Sequence, residues 1–415
     1  MTTYLIDDFL PKGTRPEDIT DWSAIFELAS IGGNTIVFPQ RTYEVHKTCR
    51  IQGDGTKFVA QYSGAKPRIQ FCGDNFKKTR WYEPSKGIDE TSVVPCGIWA
   101  ASKFRITGMR FTTDNPNKWQ DRALLNFQRA TRSDSGASEA DMDSSVDDCS
   151  FSDFRTTKGY LGAGAINWMG RNMRIQGCVF SSGGKGNGPL RAISISYAQG
   201  DDKKGQSGDT GGHRKNVVRD CTFHLTKDSI CIEVYTADDV DKGIFLHGLL
   251  VSGNIVDVGG TLIRCKTNAK MRGFAVTGNT CFRSQVPYIH FAPGVRIESS
   301  TISGNTFFNE DAGDDNSADA IFSDTNSTLN RLAITGNAFG RPDKACINLN
   351  GAVNRVAITG NTFDREDGQA GQIAIAVNSP NGGGVITGNA SNLSTFTYGA
   401  AFSSKKSWEI GYNAI

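Results

Sequence analysis

The 415 residues carry 45 basic and 43 acidic side chains, a formal net charge of +2, so no global positive field exists to hold nucleic acid by bulk electrostatics. No run approaches the roughly 18 uninterrupted apolar residues of a membrane-spanning helix, so neither nucleic acid nor a membrane is expected as a partner. The 47 glycines, with abundant Asn, Ser and Thr and few leucine-rich stretches, point to β structure.

The chain opens "MTTYLIDDFLPKG", which lacks a basic segment followed by an apolar core, so no secretory signal peptide is expected. Ten cysteines occur, with no Cys-x-x-Cys pair. Synthesis in a reducing cytosol with free thiols is the expectation. "TDWSAIFELAS" reads as a helix with Thr20 or Asp21 as N-cap and Trp22, Ile25, Phe26, Leu28 and Ala29 as its apolar stripe. "GGNTIVFPQRTYEV" follows as a glycine turn, a buried strand, a proline turn and a second strand. Residues 1–46 are therefore expected to cap whatever follows, covering an edge that would otherwise pair with other chains.

Beyond the cap one phrase recurs: "VSGNIV" at 251–256, "VTGNTC" at 276–281, "ISGNTF" at 302–307, "ITGNAF" at 334–339, "ITGNTF" at 358–363 and "ITGNA" at 386–390. Its fourth position aligns Met109, Cys149, Cys178, Cys221, Asn254, Asn279, Asn305, Asn337, Asn361 and Asn389, with a shortest spacing of 24 residues and a longest of 43. Such a repeat describes a solenoid with loops inserted into some coils. The apolar residues alternate, which excludes helical repeats with their period near 3.6. A coil of about two dozen residues is the size of one rung of a parallel β-helix, with rungs stacked ~4.8 Å apart. Stacked Asn side chains are expected to form a ladder at the turn, Cys149, Cys178 and Cys221 a small apolar stack at the same corner, and Phe151, Phe180, Phe223, Phe307, Phe339 and Phe363 a core stack. The domain reading is a cap at 1–46, a β-helix at 47–390 and a C-terminal cap at 391–415.

The helix, the Gly-Gly turn and "IVFPQRTYEV", together with this rung pattern, resemble the pectate-lyase-like superfamily of right-handed single-stranded parallel β-helices. The similarity is greatest to bacteriophage tailspikes and capsule depolymerases; Arg41 stands where that family usually has Gly. The resemblance implies a homotrimer that binds and cleaves bacterial surface polysaccharide by hydrolysis or β-elimination. It also implies a place in the virion as a tail spike, with a phage tail or baseplate protein as a partner.

The site is sought by stacking the second strand of each rung on its inward residues: Ile193, Ile232, Ile263, Ile289, Ile321, Ile347 and Ile375. The residues between then fall into two columns expected to face solvent. One runs Ser194, Glu233, Arg264, His290, Phe322, Asn348, Ala376; the other runs Ser196, Tyr235, Lys266, Ala292, Asp324, Asn350, Asn378. Both decay to small and amide residues toward the C-terminus. In the middle they group an acid, two bases, a histidine and an aromatic, which marks those rungs as the candidate site.

Glycoside hydrolysis needs two carboxyl groups, and Glu233 is the best placed, with Asp228 before its strand and Asp238, Asp239 and Asp241 after it as partners. β-Elimination needs a cation for a uronate carboxylate, a base and an acid: Arg264 for the first, with Lys266, His290 or Tyr288 for the others. Five carboxylates around one rung tilt the expectation to hydrolysis; a non-catalytic glycan-binding module is the alternative of a different class. Tyr235, Lys266, Tyr288, Asn167, His213, Arg214 and Trp119 are the candidate substrate-binding residues, several of them on the long insertions. No metal or other cofactor is expected. The oxygen-rich "FNEDAGDDNSADA" does not have EF-hand spacing, and no phosphate-binding, dinucleotide, nucleophile-elbow or zinc-protease motif occurs.

Overall fold

A computed structural model describes residues 2–61, 64–76, 80–83, 88–91, 94–100, 103–117, 119, 121–128, 143–155, 163–169, 172–181, 191–197, 216–226, 228–236, 245–258, 260–309, 319–340, 344–364, 373–379, 382–391 and 408–411. The chain divides into two compact units, Met1–Val217 and Val218–Ile415. Each is built from three parallel sheets whose strands recur in the same order along the chain, the architecture of a parallel β-helix.

In the first unit, the helix Ser23–Ser30 lies just ahead of the first coil. The N-cap position is Trp22 rather than Thr20 or Asp21, although Asp21 Oδ1 still accepts the Ser23 N–H at 2.9 Å. Phe26 meets Phe38 at 5.3 Å and Phe58 at 5.7 Å between ring centroids, and Trp22 meets Tyr43 edge-on at 4.8 Å. Burying each of these rings contributes about 2–3 kcal/mol. Leu28, expected in the stripe, is 51% exposed. At about 100° of turn per residue it falls well off the face defined by Trp22, Ile25, Phe26 and Ala29.

Sheet I of this unit runs through Thr35–Phe38, Lys57–Ala60, Arg105–Thr107, Ser145–Asp147 and Arg174–Gln176. Sheet II runs through Thr42–Val45, Arg68–Phe71, Arg110–Thr113, Ser150–Ser152 and Val179–Ser181. Along sheet II, Phe111, Phe151 and Phe180 stack, their rings 5.1 and 4.9 Å apart and nearly parallel. Cys149 and Cys178 lie buried at the corner, and all ten cysteines of the chain are buried thiols outside any disulfide.

The second unit is more regular. Its sheet I contains Leu249–Ser252, Ala275–Thr277, Arg296–Ser303, Thr328–Thr335 and Ala352–Thr359, and its sheet II Ile255–Val258, Thr280–Phe282, Thr306–Phe308, Ala338–Gly340 and Thr362–Asp364. The repeated phrase is the corner between them. In "ISGNTF", Ile302 and Ser303 close a sheet I strand and Phe307 sits in sheet II, with Gly304 between them at φ +63°. The same left-handed value recurs at Gly253, Gly278, Gly336, Gly360 and Gly388, which is why the turn keeps its glycine.

The asparagine after each glycine is buried and makes the expected ladder. Nδ2 of Asn254, Asn279, Asn305, Asn337 and Asn361 each donates to Oδ1 of the next, at 2.9, 2.9, 2.9, 3.0 and 2.9 Å. The same Oδ1 atoms accept the backbone N–H of the preceding asparagine at 3.0 Å. Each Nδ2 also donates to a main-chain carbonyl, so ladder and backbone together satisfy these buried amides. Phe307, Phe339 and Phe363 stack beside the ladder at 5.3 and 5.1 Å.

Candidate functional site

Sheet III of the second unit carries the site. Its strands are Ile230–Thr236, Thr261–Cys265, Ile289–Phe291, Ile321–Ser323, Ala345–Leu349 and Ile373–Val377. The register places Ile232, Ile263, Ile289, Ile321, Ile347 and Ile375 opposite one another, as the alternation of their strands requires. By the same register Glu233 pairs with Arg264, Arg264 with His290, His290 with Phe322, Phe322 with Asn348 and Asn348 with Ala376. The column read from sequence is therefore a physical column.

Its exposure differs from expectation. Glu233 is fully buried and Ala376 nearly so, while Arg264, His290, Phe322 and Asn348 are half-buried. Among the described residues the Arg264 guanidinium forms no ion pair, with Glu233 or otherwise, and its Nε is buried without a hydrogen bond. Arg264 is thus a cation held on the sheet without a matched anion among these residues.

His290 is the best-defined group. Its Nε2 lies 3.0 Å from Asp324 Oδ2, with side-chain exposures of 19% and 30%. Its ring rests against Phe322 at 5.4 Å. Burial and then the nearby Arg264 charge push the imidazole below its ordinary pKa, against the pull of Asp324. With the carboxylate accepting from Nε2–H, the lone pair is left on Nδ1, the arrangement that makes histidine a base. Asp324 belongs to the neighbouring column, and its part as the partner of His290 was missed. The signal was the adjacency of the two columns, one rung apart.

Asp319, just before the next strand, is a second buried carboxyl. It accepts the Ala345 N–H and the Asn348 amide, each at 2.9 Å, and burial raises its pKa. Further along, Asn378 Nδ2 donates to Asn350 Oδ1 at 2.7 Å, continuing the second column as an amide run.

Other sequence candidates lie elsewhere. Tyr235 is buried rather than facing solvent. Tyr288 is buried too; its hydroxyl donates to the Phe308 carbonyl at 2.8 Å and its ring lies on Phe307 at 5.5 Å. Asp228 accepts from the Thr226 hydroxyl at 3.0 Å within its own turn. Lys266 is half-buried one residue past its strand. In the first unit, Asn167 is buried in the strand Gly164–Met169 and donates to Asn126 Oδ1 at 2.7 Å. Trp119, expected as a sugar platform, packs on Phe76 at 4.4 Å and Phe71 at 5.2 Å and is core. An indole surrounded by phenylalanines gains more from burial than from a surface position. Asp238, Asp239, Asp241, His213 and Arg214 lie outside the described residues.

No protein-family model matches the chain, and no curated protein sequence does. Among solved structures it is similar to the GH136 lacto-N-biosidase from Eubacterium ramulus, with a TM-score of 0.52 and 11% identity over 100% of this chain and 67% of that one. It is also similar to the Dettilon tailspike protein (TM-score 0.47, 13% identity, 91% and 69% of the two chains). A third is a mannuronic acid specific polysaccharide family 6 lyase from human gut microbiota (0.48, 12%, 100% and 87%). The lacto-N-biosidase likeness is one of fold. No helix among the described residues is long and apolar enough to cross a membrane, which leaves membrane β-barrels unaddressed.

Proposed function

We propose that this chain is a polysaccharide depolymerase acting on sheet III of its second unit, with His290 as base. The observation that carries this reading is the His290–Asp324 pair at 3.0 Å beside Arg264, in register on adjacent rungs. The fold shared with a lacto-N-biosidase supports a glycan as substrate.

Hydrolysis is the expectation from sequence; the grouping of Arg264, His290 and Asp324 supports elimination instead. Two hydrolytic carboxyl groups stand about 5–9 Å apart. Glu233 and Asp324 are three rungs apart in the register, and three rungs at ~4.8 Å put their backbones roughly 14 Å apart. Elimination instead asks for groups of the kind grouped here. The Arg264 guanidinium neutralises a uronate carboxylate and acidifies the adjoining C5–H, His290 Nδ1 removes that proton, and the C4–O bond breaks as the C4–C5 double bond forms. Lys266, two residues beyond Arg264, is the candidate acid for the leaving oxygen. Hydrolysis through Glu233 stays as the second reading, because Glu233 is buried on the same column and Asp238 and Asp239 follow its strand.

The substrate class in this reading is a uronate-bearing bacterial surface polysaccharide. A homotrimer on a phage tail completes it. The test is incubation with capsular, exopolysaccharide and O-antigen preparations, following reducing ends together with the ultraviolet absorbance of a conjugated double bond. Elimination raises both signals; hydrolysis raises the reducing ends alone. Glycan binding with neither signal identifies a non-catalytic module and overturns the enzymatic reading.

A further inference from the structure

The sequence offered no metal motif, because the relevant ligands belong to different rungs. In the first unit, Glu44 lies in the strand Thr42–Val45 and His46 just follows it, while Cys72 just follows Arg68–Phe71. These strands pair with Val45 opposite Phe71, so His46 and Cys72 come next in the same register. One ligand atom from each of Glu44, His46 and Cys72 lies within 4.8 Å of the other two. His46 Nε2 and Glu44 Oε2 are 3.5 Å apart, and neighbouring ligand atoms of a tetrahedral zinc ion stand at about 3.4–3.6 Å, given bond lengths near 2.0–2.3 Å.

Three further observations concern this cluster. His46 Nε2 is shielded from solvent and makes no hydrogen bond among the described residues, although it points at Glu44 and Cys72. Its 3.5 Å contact with Glu44 Oε2 is an ion pair only while the ring is protonated, and the neutral ring has a lone pair to offer a metal. Cys72 is the most accessible of the ten cysteines, at 7%, where the rest are at most 2% exposed or enclosed altogether. The Cys72 thiol donates only a weak hydrogen bond, to the Gln70 carbonyl at 3.6 Å, which a metal would replace.

The ligands are also held in place. The His46 N–H donates to Asp21 Oδ1 and to the Ser23 hydroxyl, both at 3.2 Å, tying the histidine backbone to the start of the helix. After Cys72, Gly73 donates its N–H to Asp114 Oδ2 at 3.0 Å, fixing the chain on the other side.

We propose that Glu44, His46 and Cys72 form a binding site for a zinc-like divalent ion, with water in the fourth position. Thiolate, imidazole and carboxylate together suit zinc or cobalt(II) better than magnesium or calcium, which prefer oxygen alone. The exposed Glu44 side chain supplies the small movement that brings three ligand atoms from 4.8 Å to coordination distance. On binding, the Cys72 thiol gives its proton to solvent and the sulfur bonds the metal, so uptake releases one proton and strengthens as pH rises.

The test uses the full chain, stripped with chelator and titrated with cobalt(II) and then zinc. One equivalent of cobalt produces a sulfur-to-cobalt charge-transfer band, which zinc bleaches by displacement. Cys72→Ser abolishes the band, and His46→Gln weakens uptake at least tenfold while the metal-free protein melts as the parent does. Zinc raises the melting temperature of the parent and leaves that of Cys72→Ser unchanged. Absence of the band in the parent, or its persistence in Cys72→Ser, overturns the proposal. Should Cys72→Ser not fold, unchanged uptake by the folded His46→Gln variant overturns it equally.

Discussion

His290 Nε2 and Asp324 Oδ2 stand 3.0 Å apart across neighbouring rungs of sheet III. The carboxylate fixes both the ring orientation and the tautomer, leaving Nδ1 to accept a proton. Asparagine at 324 would offer its amide hydrogens to Nε2 and move the ring proton to the wrong nitrogen. Asp324→Asn should lower kcat by about 10²–10⁴-fold with little change in KM. Steady-state kinetics on a cleaved polysaccharide decides it, and an unchanged kcat removes His290 from the role of base.

Arg264 should be visible in the titration of His290. Burial and the guanidinium hold that imidazole below its ordinary pKa. It therefore stays neutral as pH falls through about 6.5, the usual histidine value. Removing the cation in Arg264→Gln moves the titration to higher pH, read from the His290 ring proton shifts by NMR. The sign for stability follows from the same depression. Unfolded histidine takes up a proton first, so the contribution is present above the unfolded pKa and is lost as pH falls through the folded one.

Asn305 sits inside the ladder, with Asn279 donating to it and Asn337 accepting from it. Asn305→Ala leaves the buried N–H groups of Asn279 without their acceptor. Each such group costs about 1–3 kcal/mol, so the total should be roughly 3 kcal/mol or more by urea denaturation. Asn354, an exposed residue that also donates an amide hydrogen bond, is the control; its change to alanine should cost no more than about 0.5 kcal/mol.

Trp119 separates core from sugar platform. Its burial against Phe71 and Phe76 predicts that Trp119→Ala destabilises the first unit by about 3–5 kcal/mol. A surface platform would instead lose glycan affinity with an unchanged melting temperature. Thermal denaturation and a glycan-binding titration on the same variant distinguish the two.

The repeat was legible because each rung satisfies the same local demands. Gly304 needs left-handed backbone, Asn305 needs an identical neighbour, and Phe307 needs a stack; these needs are written in adjacent letters. The order of the site column was legible for the same reason, since strand alternation and rung stacking together set which residue follows Glu233. Exposure was not legible. Glu233 and Tyr235 occupy outward-facing positions by alternation, yet both are buried, and alternation says nothing of what lies over a sheet. Trp119 was misplaced because a tryptophan in an insertion reads the same whether it folds onto phenylalanines or onto solvent. The Glu44–His46–Cys72 cluster was invisible for a third reason: proximity between rungs depends on the number of residues in the intervening coil, which no local spacing rule captures.

The asparagine ladder also sets how this chain can change in length. Asn337 donates to Asn361, and Asn361 donates in the same way to Asn389. Excising residues 338–361, a stretch of 24, would present Asn389 to Asn337 with an equivalent set of partners. Losing half of that stretch would leave two amides facing nothing. Loops between corners can lengthen while the ladder persists, as across the 32 residues from Asn305 to Asn337, but the ladder itself grows or shrinks one whole coil at a time.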